Sequence, residues 1–357
     1  MMLETIQAKG CQIFFNSIDY KEINAHITNE MYSMIFILVD ENTHQHCLPD
    51  FLANLQTELP IEIIEIEAGE IHKTLETCEG VWKTLSDLGA DRKSLLINIG
   101  GGVVTDLGGF VAATFMRGIR FINIPTSLLA MVDASIGGKT GVDLGALKNQ
   151  VGVISLPEMV FINSSFLKTL PEIQLRSGLA EMLKHGLIFS ESHWNKLKDI
   201  EELSPAQMEA LIHESVIIKN TIVTKDPTEK GLRKILNYGH TLGHAIESYF
   251  LKSDSLTTLL HGEAIAIGMI LESFISHKIH NLHFEDLVRI KSQILKYFGK
   301  VKFDENDINE IIKLLKFDKK NTFGEINFVL LDTIASTKTD CKVSNELIKE
   351  SFSFYAE

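Results

Sequence analysis

The residues best able to do chemistry stand in the second half of the chain. Asn237-Tyr-Gly-His-Thr-Leu-Gly-His244 puts His240 and His244 at i and i+4, one face of a helix, and His261-Gly-Glu263 opens another helix. Upstream, Ser177-Gly-Leu-Ala-Glu-Met-Leu-Lys-His185 sets Glu181 and Lys184 one turn apart. Two or three histidines with one carboxylate make the donor set of a catalytic zinc ion that keeps a position open for substrate. A single histidine is more often a cap or a core residue. Three of them at helix starts, among glycines and near a carboxylate, favour a metal. Spacing alone leaves open which two of the three histidines bind it.

Glycine marks a second region. Eleven of the 24 glycines fall within the 53 residues Gly100–Gly152. Asn98-Ile-Gly-Gly-Gly-Val-Val-Thr-Asp-Leu-Gly-Gly109 follows a strand pattern and opens a predicted helix, a place where backbone N–H groups can approach a pyrophosphate. It departs from the strict G-x-G-x-x-G fingerprint, and a tight strand-to-helix turn is the plain alternative. Downstream, Asp133-Ala-Ser-Ile-Gly-Gly-Lys-Thr-Gly-Val-Asp143 contains Gly-Gly-Lys-Thr but lacks the first glycine of a Walker loop, which argues against a P-loop ATPase. The expected alternative is a phosphate-facing loop that offers Lys139, Lys148 and Asn149 to an anion. Lys219 and Arg233, isolated in apolar helical surroundings, and Lys319-Lys320 would suit a small substrate carrying phosphate and carboxylate.

Elements must hold these groups in place. Met34–Asp40, Ile61–Glu67, Ser94–Gly100, Phe121–Pro125 and Met159–Asn163 read as short strands. Between them lie helical segments such as Thr74–Leu88, with Leu75, Cys78, Val81, Trp82 and Leu85 at helical spacing. Strand-helix alternation predicts an α/β domain with a mainly parallel, Rossmann-like sheet, whose ligands sit at the carboxyl ends of the strands. After about Leu170 the pattern turns helical: Gln174–Phe189, Pro205–Lys225, Thr241–Phe250, Gly262–His280 and Phe284–Phe298, with Gly324–Leu331 as one late strand candidate. The expected domains are 1–168, α/β, and 169–357, all-α and metal-binding.

The whole-chain arithmetic excludes several classes. The 357 residues suffice for two domains, and 45% apolar with 23% charged residues is ordinary globular composition. A net charge of −13 without a Lys/Arg block disfavours nucleic acid and anionic membrane surfaces. No apolar run nears the roughly 20 residues of a spanning helix, and Met1–Ile6 shows no secretory pattern. Cys11, Cys47, Cys78 and Cys341 lie far apart, as in reduced thiols of a cytoplasmic protein.

Taken in order, Gly69-Glu-Ile-His-Lys73, Gly-Gly-Gly-Val-Val-Thr-Asp106, Pro125-Thr-Ser-Leu-Leu129, Asp133…Gly141, Lys148-Asn149, Ser177–Glu181, Asn237–His244 and His261-Gly-Glu263 resemble the 3-dehydroquinate synthases of the sugar-phosphate cyclase family, nearly end to end. The resemblance implies conversion of 3-deoxy-D-arabino-heptulosonate 7-phosphate to 3-dehydroquinate and phosphate, in the shikimate pathway of aromatic amino acid biosynthesis. Transient oxidation by NAD, phosphate elimination, re-reduction and intramolecular aldol closure would do this, with a divalent metal, usually zinc and with cobalt as a substitute. It implies Glu181, His240 and His261 as metal ligands, leaving His244 for proton transfer. Asp40, Asn42, Glu70 and Lys73 would hold the adenosine side of NAD, Gly101, Gly102 and Asp106 the pyrophosphate region. Thr126, Ser127, Asp133, Lys148, Phe166 and Thr169 would line the nicotinamide half, with Lys139 close by. Lys139, Asn149, Asn237 and one of Lys319 and Lys320 would bind the substrate phosphate, joined by Arg117 from the second subunit of a homodimer. Lys219 and Arg233 would clamp the carboxylate; Lys184 and Glu229 would bond the reacting hydroxyls.

Two departures stand beside these residues: Asp143-Leu-Gly-Ala replaces the Asn-x-x-x more often found after Lys-Thr-Gly-Val, and Gly152-Val-Ile-Ser-Leu-Pro157 replaces an aromatic-containing Gly-x-Phe stretch. The competing readings are a cyclase acting on a substrate without carboxylate, a polyol dehydrogenase of the glycerol dehydrogenase type, and an inactive scaffold subunit. Lys219 with Arg233 disfavours the first, since a neutral substrate would leave buried cations without a partner charge. The intact set Glu181, His240 and His261 disfavours the last.

Overall fold

The computed structural model describes residues 3–8, 10–16, 19–145, 147–198, 200, 204–252, 258–315 and 326–357. The chain divides into two compact units, Met1–Pro171 and Glu172–Glu357.

The first unit runs β1 (Ile6–Ala8), β2 (Cys11–Phe15), α1 (Lys21–Asn29), β3 (Ile35–Asp40), α2 (Glu41–His46), α3 (Leu48–Asn54), β4 (Ile61–Ile66) and α4 (Leu75–Asp87). It continues through β5 (Leu95–Gly100), α5 (Gly102–Thr114), β6 (Arg120–Pro125), β7 (Lys139–Leu144), β8 (Leu147–Ile154) and β9 (Met159–Ile162). Seven strands form one sheet in the order β1-β2-β9-β6-β5-β3-β4, parallel except for the β1–β2 pair. β5 is buried along its whole length, as expected of a central parallel strand covered on both faces. From β3 the chain passes to β4 on one side and then to β5 on the other, so the strand order reverses between β3 and β5. Crevices at such a reversal, outside the carboxyl ends of the strands, are where ligands of open α/β sheets bind.

Packing explains part of the glycine cluster. α5 lies so close on the sheet that a Cβ at Gly108 would meet Asn98 Oδ1 at 2.0 Å. Across the register, Asn98 Nδ2 in turn donates to Asn123 Oδ1 at 2.8 Å. Lys139–Ile154, read from the sequence as a phosphate-facing loop, is instead an antiparallel hairpin, β7 with β8. The many glycines hid its alternation.

The second unit is mainly helical: α6 (Glu172–Phe189), α7 (Glu191–Lys196), α8 (Pro205–Lys225), α9 (His240–Lys252), α10 (His261–Ile279), α11 (Phe284–Phe298), α12 (Glu305–Leu314) and α13 (Asn345–Ala356). Ser204 and Gln207 close a reciprocal capping box at the start of α8, with Pro205 in its first turn. The late strand candidate is β10 (Phe328–Thr333), which pairs with a strand the sequence did not reveal, β11 (Ser336–Cys341). Lys319 and Lys320 lie outside the described residues. No helix among the described residues is long and apolar enough to cross a membrane.

Candidate active site

In the helical unit, α6 supplies Glu181, α9 supplies His240 and His244, and α10 begins with His261. The three imidazoles face one another, with ring centroids 5.1 Å apart for His240–His244, 5.5 Å for His240–His261 and 5.7 Å for His244–His261. Glu181 is fully buried. Its Oε1 has no hydrogen-bond partner and lies 3.5 Å from His240 Nε2 and 3.6 Å from His261 Nε2, while its Oε2 is ion-paired with Lys184.

The far side of each ring explains which nitrogen faces inward. Nδ1 of His240 lies 3.0 Å from the Tyr238 carbonyl oxygen, which can only accept. Nδ1 of His261 lies 3.3 Å from Oε2 of Glu247. A proton on Nδ1 leaves the lone pair on Nε2, the tautomer of a metal-binding histidine, and a carboxylate behind the ring raises its basicity. Burial would lower the His261 pKa, but the charges of Glu247 and Glu181 outweigh it and raise it to about 9. That marks a pocket whose field favours a cation. A buried carboxylate oxygen without a hydrogen bond, between two imidazole nitrogens, fits a divalent ion of zinc type.

Close packing sets this geometry. A Cβ at Gly262, next to His261, would come within 2.4 Å of the Ser177 Cα on α6, so only glycine lets α10 start there. The Gly262 N–H donates to Ser177 Oγ at 3.0 Å. At the start of α9, the fully buried Glu272 of α10 accepts the Gly239 N–H at 2.7 Å and the Leu242 N–H at 3.1 Å, on either side of His240. A carboxylate at that point satisfies orphan donors of the helix and complements its dipole.

Glu247 and Glu272 were not singled out in the sequence, although the spacing carries a signal. Glu247 follows His240 and His244 on the same helical face, and Glu272 stands three turns beyond His261 in an apolar helix.

The remaining candidates of this unit are half-buried or buried. Lys219 on α8 and Arg233 in the turn Leu232–Asn237 are nearly inaccessible. The Arg233 guanidinium donates to the Pro227 carbonyl at 2.8 Å, and its backbone N–H donates to Asp226 at 3.0 Å. Asn237 Nδ2 donates to Glu229 Oε1 at 2.6 Å, and Glu229 holds a left-handed φ of 60°.

In the α/β unit, the candidates fall at the carboxyl ends of neighbouring strands. Asp40 ends β3, Gly101 and Gly102 start α5 after β5, and Thr126 and Ser127 follow β6. Asp40 accepts the Thr43 N–H at 2.8 Å and so caps α2, which bears the exposed Asn42. Thr126 N–H donates to the Gly100 carbonyl at 3.0 Å. Asp133 lies in the short turn Ala130–Ala134; Phe166 is buried and Thr169 exposed around Ser164–Lys168. Arg117 is exposed with a left-handed φ of 70°, next to Met116 at 49°. Lys139 begins β7 and is exposed.

Five candidates form one network. Buried Lys73 donates to Asp106 Oδ2 and to Asn149 Oδ1, both at 2.7 Å, and Lys148 lies 3.4 Å from Glu70. Burial works against the Lys73 charge, but Asp106, Glu70 and Asp143 raise its pKa above the usual lysine value, so it is a fixed cation.

Comparison with known proteins finds relatives along nearly the whole chain. Residues 63–177 match the family described as 3-dehydroquinate synthase N-terminal, and residues 178–321 match 3-dehydroquinate synthase C-terminal. The chain is 42% identical to the 3-dehydroquinate synthase of Parabacteroides distasonis over 94% of its own length and 95% of that protein. It is 37% identical to that of Listeria monocytogenes serotype 4b, over 98% and 96%. Among solved structures, a 2-deoxy-scyllo-inosose synthase complexed with carbaglucose-6-phosphate, NAD+ and Co2+ is 26% identical with a TM-score of 0.84, covering 98% of this chain and 99% of that one. A 2-epi-5-epi-valiolone synthase from Streptomyces hygroscopicus with NAD+ and Zn2+ bound shares the fold, with 23% identity, a TM-score of 0.85, and coverage of 100% and 98%. With relatives this similar across almost its whole length, the chain belongs to the 3-dehydroquinate synthase family.

Proposed function

We propose that this chain converts 3-deoxy-D-arabino-heptulosonate 7-phosphate to 3-dehydroquinate and phosphate, as a carbon–oxygen lyase of the cytoplasm that binds NAD and a divalent metal. Within a chain of this family, the observation that carries the reading is the buried Glu181 Oε1 without a hydrogen bond, 3.5 and 3.6 Å from the inward nitrogens of His240 and His261. Zinc, or cobalt in its place, would be held by Glu181, His240 and His261 and would supply Lewis acidity toward the substrate hydroxyls, and bound NAD would supply a reversible hydride acceptor.

The chain's own groups do the rest. His244 faces the same space as the other two imidazoles and moves a proton; Lys184 and Glu229 bond the reacting hydroxyls. Buried Lys219 and Arg233 hold the carboxylate, where a desolvated charge pair has most effect. Lys139, Asn149 and Asn237, with one of Lys319 and Lys320 and with Arg117 of a second copy in a homodimer, bind the phosphate. Asp40, Asn42, Glu70 and Lys73 take the adenosine side of NAD. Gly101 and Gly102 open α5 with backbone N–H groups suited to its pyrophosphate, and Asp106 is one turn further on. Thr126, Ser127, Asp133, Lys148, Phe166 and Thr169 surround the nicotinamide half. Holding the open-chain intermediate in one conformation is catalysis by proximity.

The test is phosphate release from the heptulosonate phosphate, with and without NAD+ and a chelator, while NADH absorbance is followed. Phosphate and dehydroquinate formed in step, abolished by the chelator and without accumulating NADH, are expected. Accumulating NADH without phosphate would instead indicate a dehydrogenase.

A further inference from the structure

The hairpin of β7 and β8 carries a defect with a purpose. Its register runs Val142 opposite Val151 and then Leu144 opposite Leu147, so the ladder slips at Asp143. Asn149, on the facing strand within that slip, holds a left-handed φ of 51°, rare for a residue with a side chain. A bulge of this kind removes the ladder partner of a backbone N–H and redirects the side chain beside it. Here the partner is replaced: Asp143 Oδ1 accepts the Asn149 N–H at 2.6 Å. The Asp143 N–H in turn donates to the Lys73 carbonyl at 2.9 Å. The loop is closed by the Asn149 side chain, whose Oδ1 accepts from Lys73 Nζ at 2.7 Å. Asp143 therefore grips the backbone of two residues whose side chains already meet.

We propose that Asp143 is a positioning residue that locks Asn149 in its bulged conformation and, through it, sets the Lys73 ammonium for the dinucleotide. This rests on the reading of Lys73 as a contact to NAD. The function is carried by the acceptor oxygen and not by the charge. Asp143 lies among Glu70, Lys73 and Lys148, and burial holds its carboxyl above the usual aspartate range, so its negative charge is a burden beside a bound anion.

The experiment separates oxygen from charge. Calorimetric titration of the purified full chain with NAD+ is compared for wild type, Asp143→Ala and Asp143→Asn, with zinc content and thermal midpoint measured in parallel. Loss of the hydrogen bond that Asp143 accepts from the Asn149 N–H predicts a dissociation constant about tenfold weaker for Asp143→Ala. Asp143→Asn keeps an acceptor oxygen and is expected within about threefold of wild type, or tighter, by the same arithmetic. Zinc content should stay unchanged in both, because the metal residues belong to the other unit. If Asp143→Ala does not fold, the near-isosteric Asp143→Leu replaces it with the same expectation. Equal NAD+ affinity in wild type and Asp143→Ala, or equal losses in Asp143→Ala and Asp143→Asn, would overturn the proposal and leave the reading of the site intact. Wild type that binds no NAD+ would overturn both.

Discussion

Nδ1 of His261 lies 3.3 Å from Oε2 of Glu247, a carboxylate with almost no solvent exposure. The pair orients one of the proposed ligand rings from behind. Glu247→Ala should therefore lower zinc affinity by about 10- to 100-fold, as losses of such outer partners do. Competition with a chromophoric chelator measures it, and unchanged affinity would show that the contact is incidental.

His240 and His244 share one face of α9, yet their roles are expected to differ. Glu181 Oε1 lies 3.5 Å from His240 Nε2. His240→Ala should lose both metal and activity, whereas His244→Ala should lose activity and keep its metal. Metal analysis of the two purified variants decides, and metal loss confined to His244→Ala would reverse the assignment.

Glu272 accepts two backbone N–H groups at the start of α9. Glu272→Ala leaves both donors buried without that acceptor, which should cost about 2–3 kcal/mol of stability, with Glu272→Gln nearer wild type. Chemical denaturation measures the difference. A loss under about 0.5 kcal/mol, the range of ordinary surface substitutions, would count against a structural cap.

Thiol chemistry offers a check on the fold as a whole. Burial pushes the thiols of Cys11, Cys47 and Cys78 up to about 12, so almost no thiolate exists near neutral pH and attack on a reagent is slow. Cys341 is also raised, but it is partly exposed. An aromatic disulfide reagent at pH 8 should label Cys341 in the native chain and all four cysteines after unfolding. Rapid native labelling of Cys78 would contradict its burial.

β3, β4, β5, β6 and β9 were legible as short β-branched runs, whereas β1 and the parallel β2 (Cys11–Phe15) were not singled out. Ile35–Asp40 and Leu95–Gly100 appear within a residue of where the pattern placed them. β7 and β8 were not, since Gly141 and Gly152 interrupt the alternation that a hairpin usually displays. β11, Ser-Thr-Lys-Thr-Asp-Cys, is exposed at every second residue and has no apolar face to betray it. In the proposed metal centre the histidines stood out by spacing. Glu247 and Glu272 did not, because a lone carboxylate in a helix usually faces water, and only tertiary packing reveals that these two are enclosed.

The missing methyl at Gly262 has a consequence beyond packing. Ser177 and Glu181 lie one turn apart on α6, and Gly262 adjoins His261 on α10, so the gap between these helices is also the span across which Glu181 and His261 face each other. The glycine acts as a spacer gauge. A chain with alanine there would have to widen the jaws, and at the proposed metal centre would then hold a small ion loosely or accept one of larger radius. If Glu181 and His261 are the ligands proposed above, the choice of ion is set partly by a residue outside the ligand set.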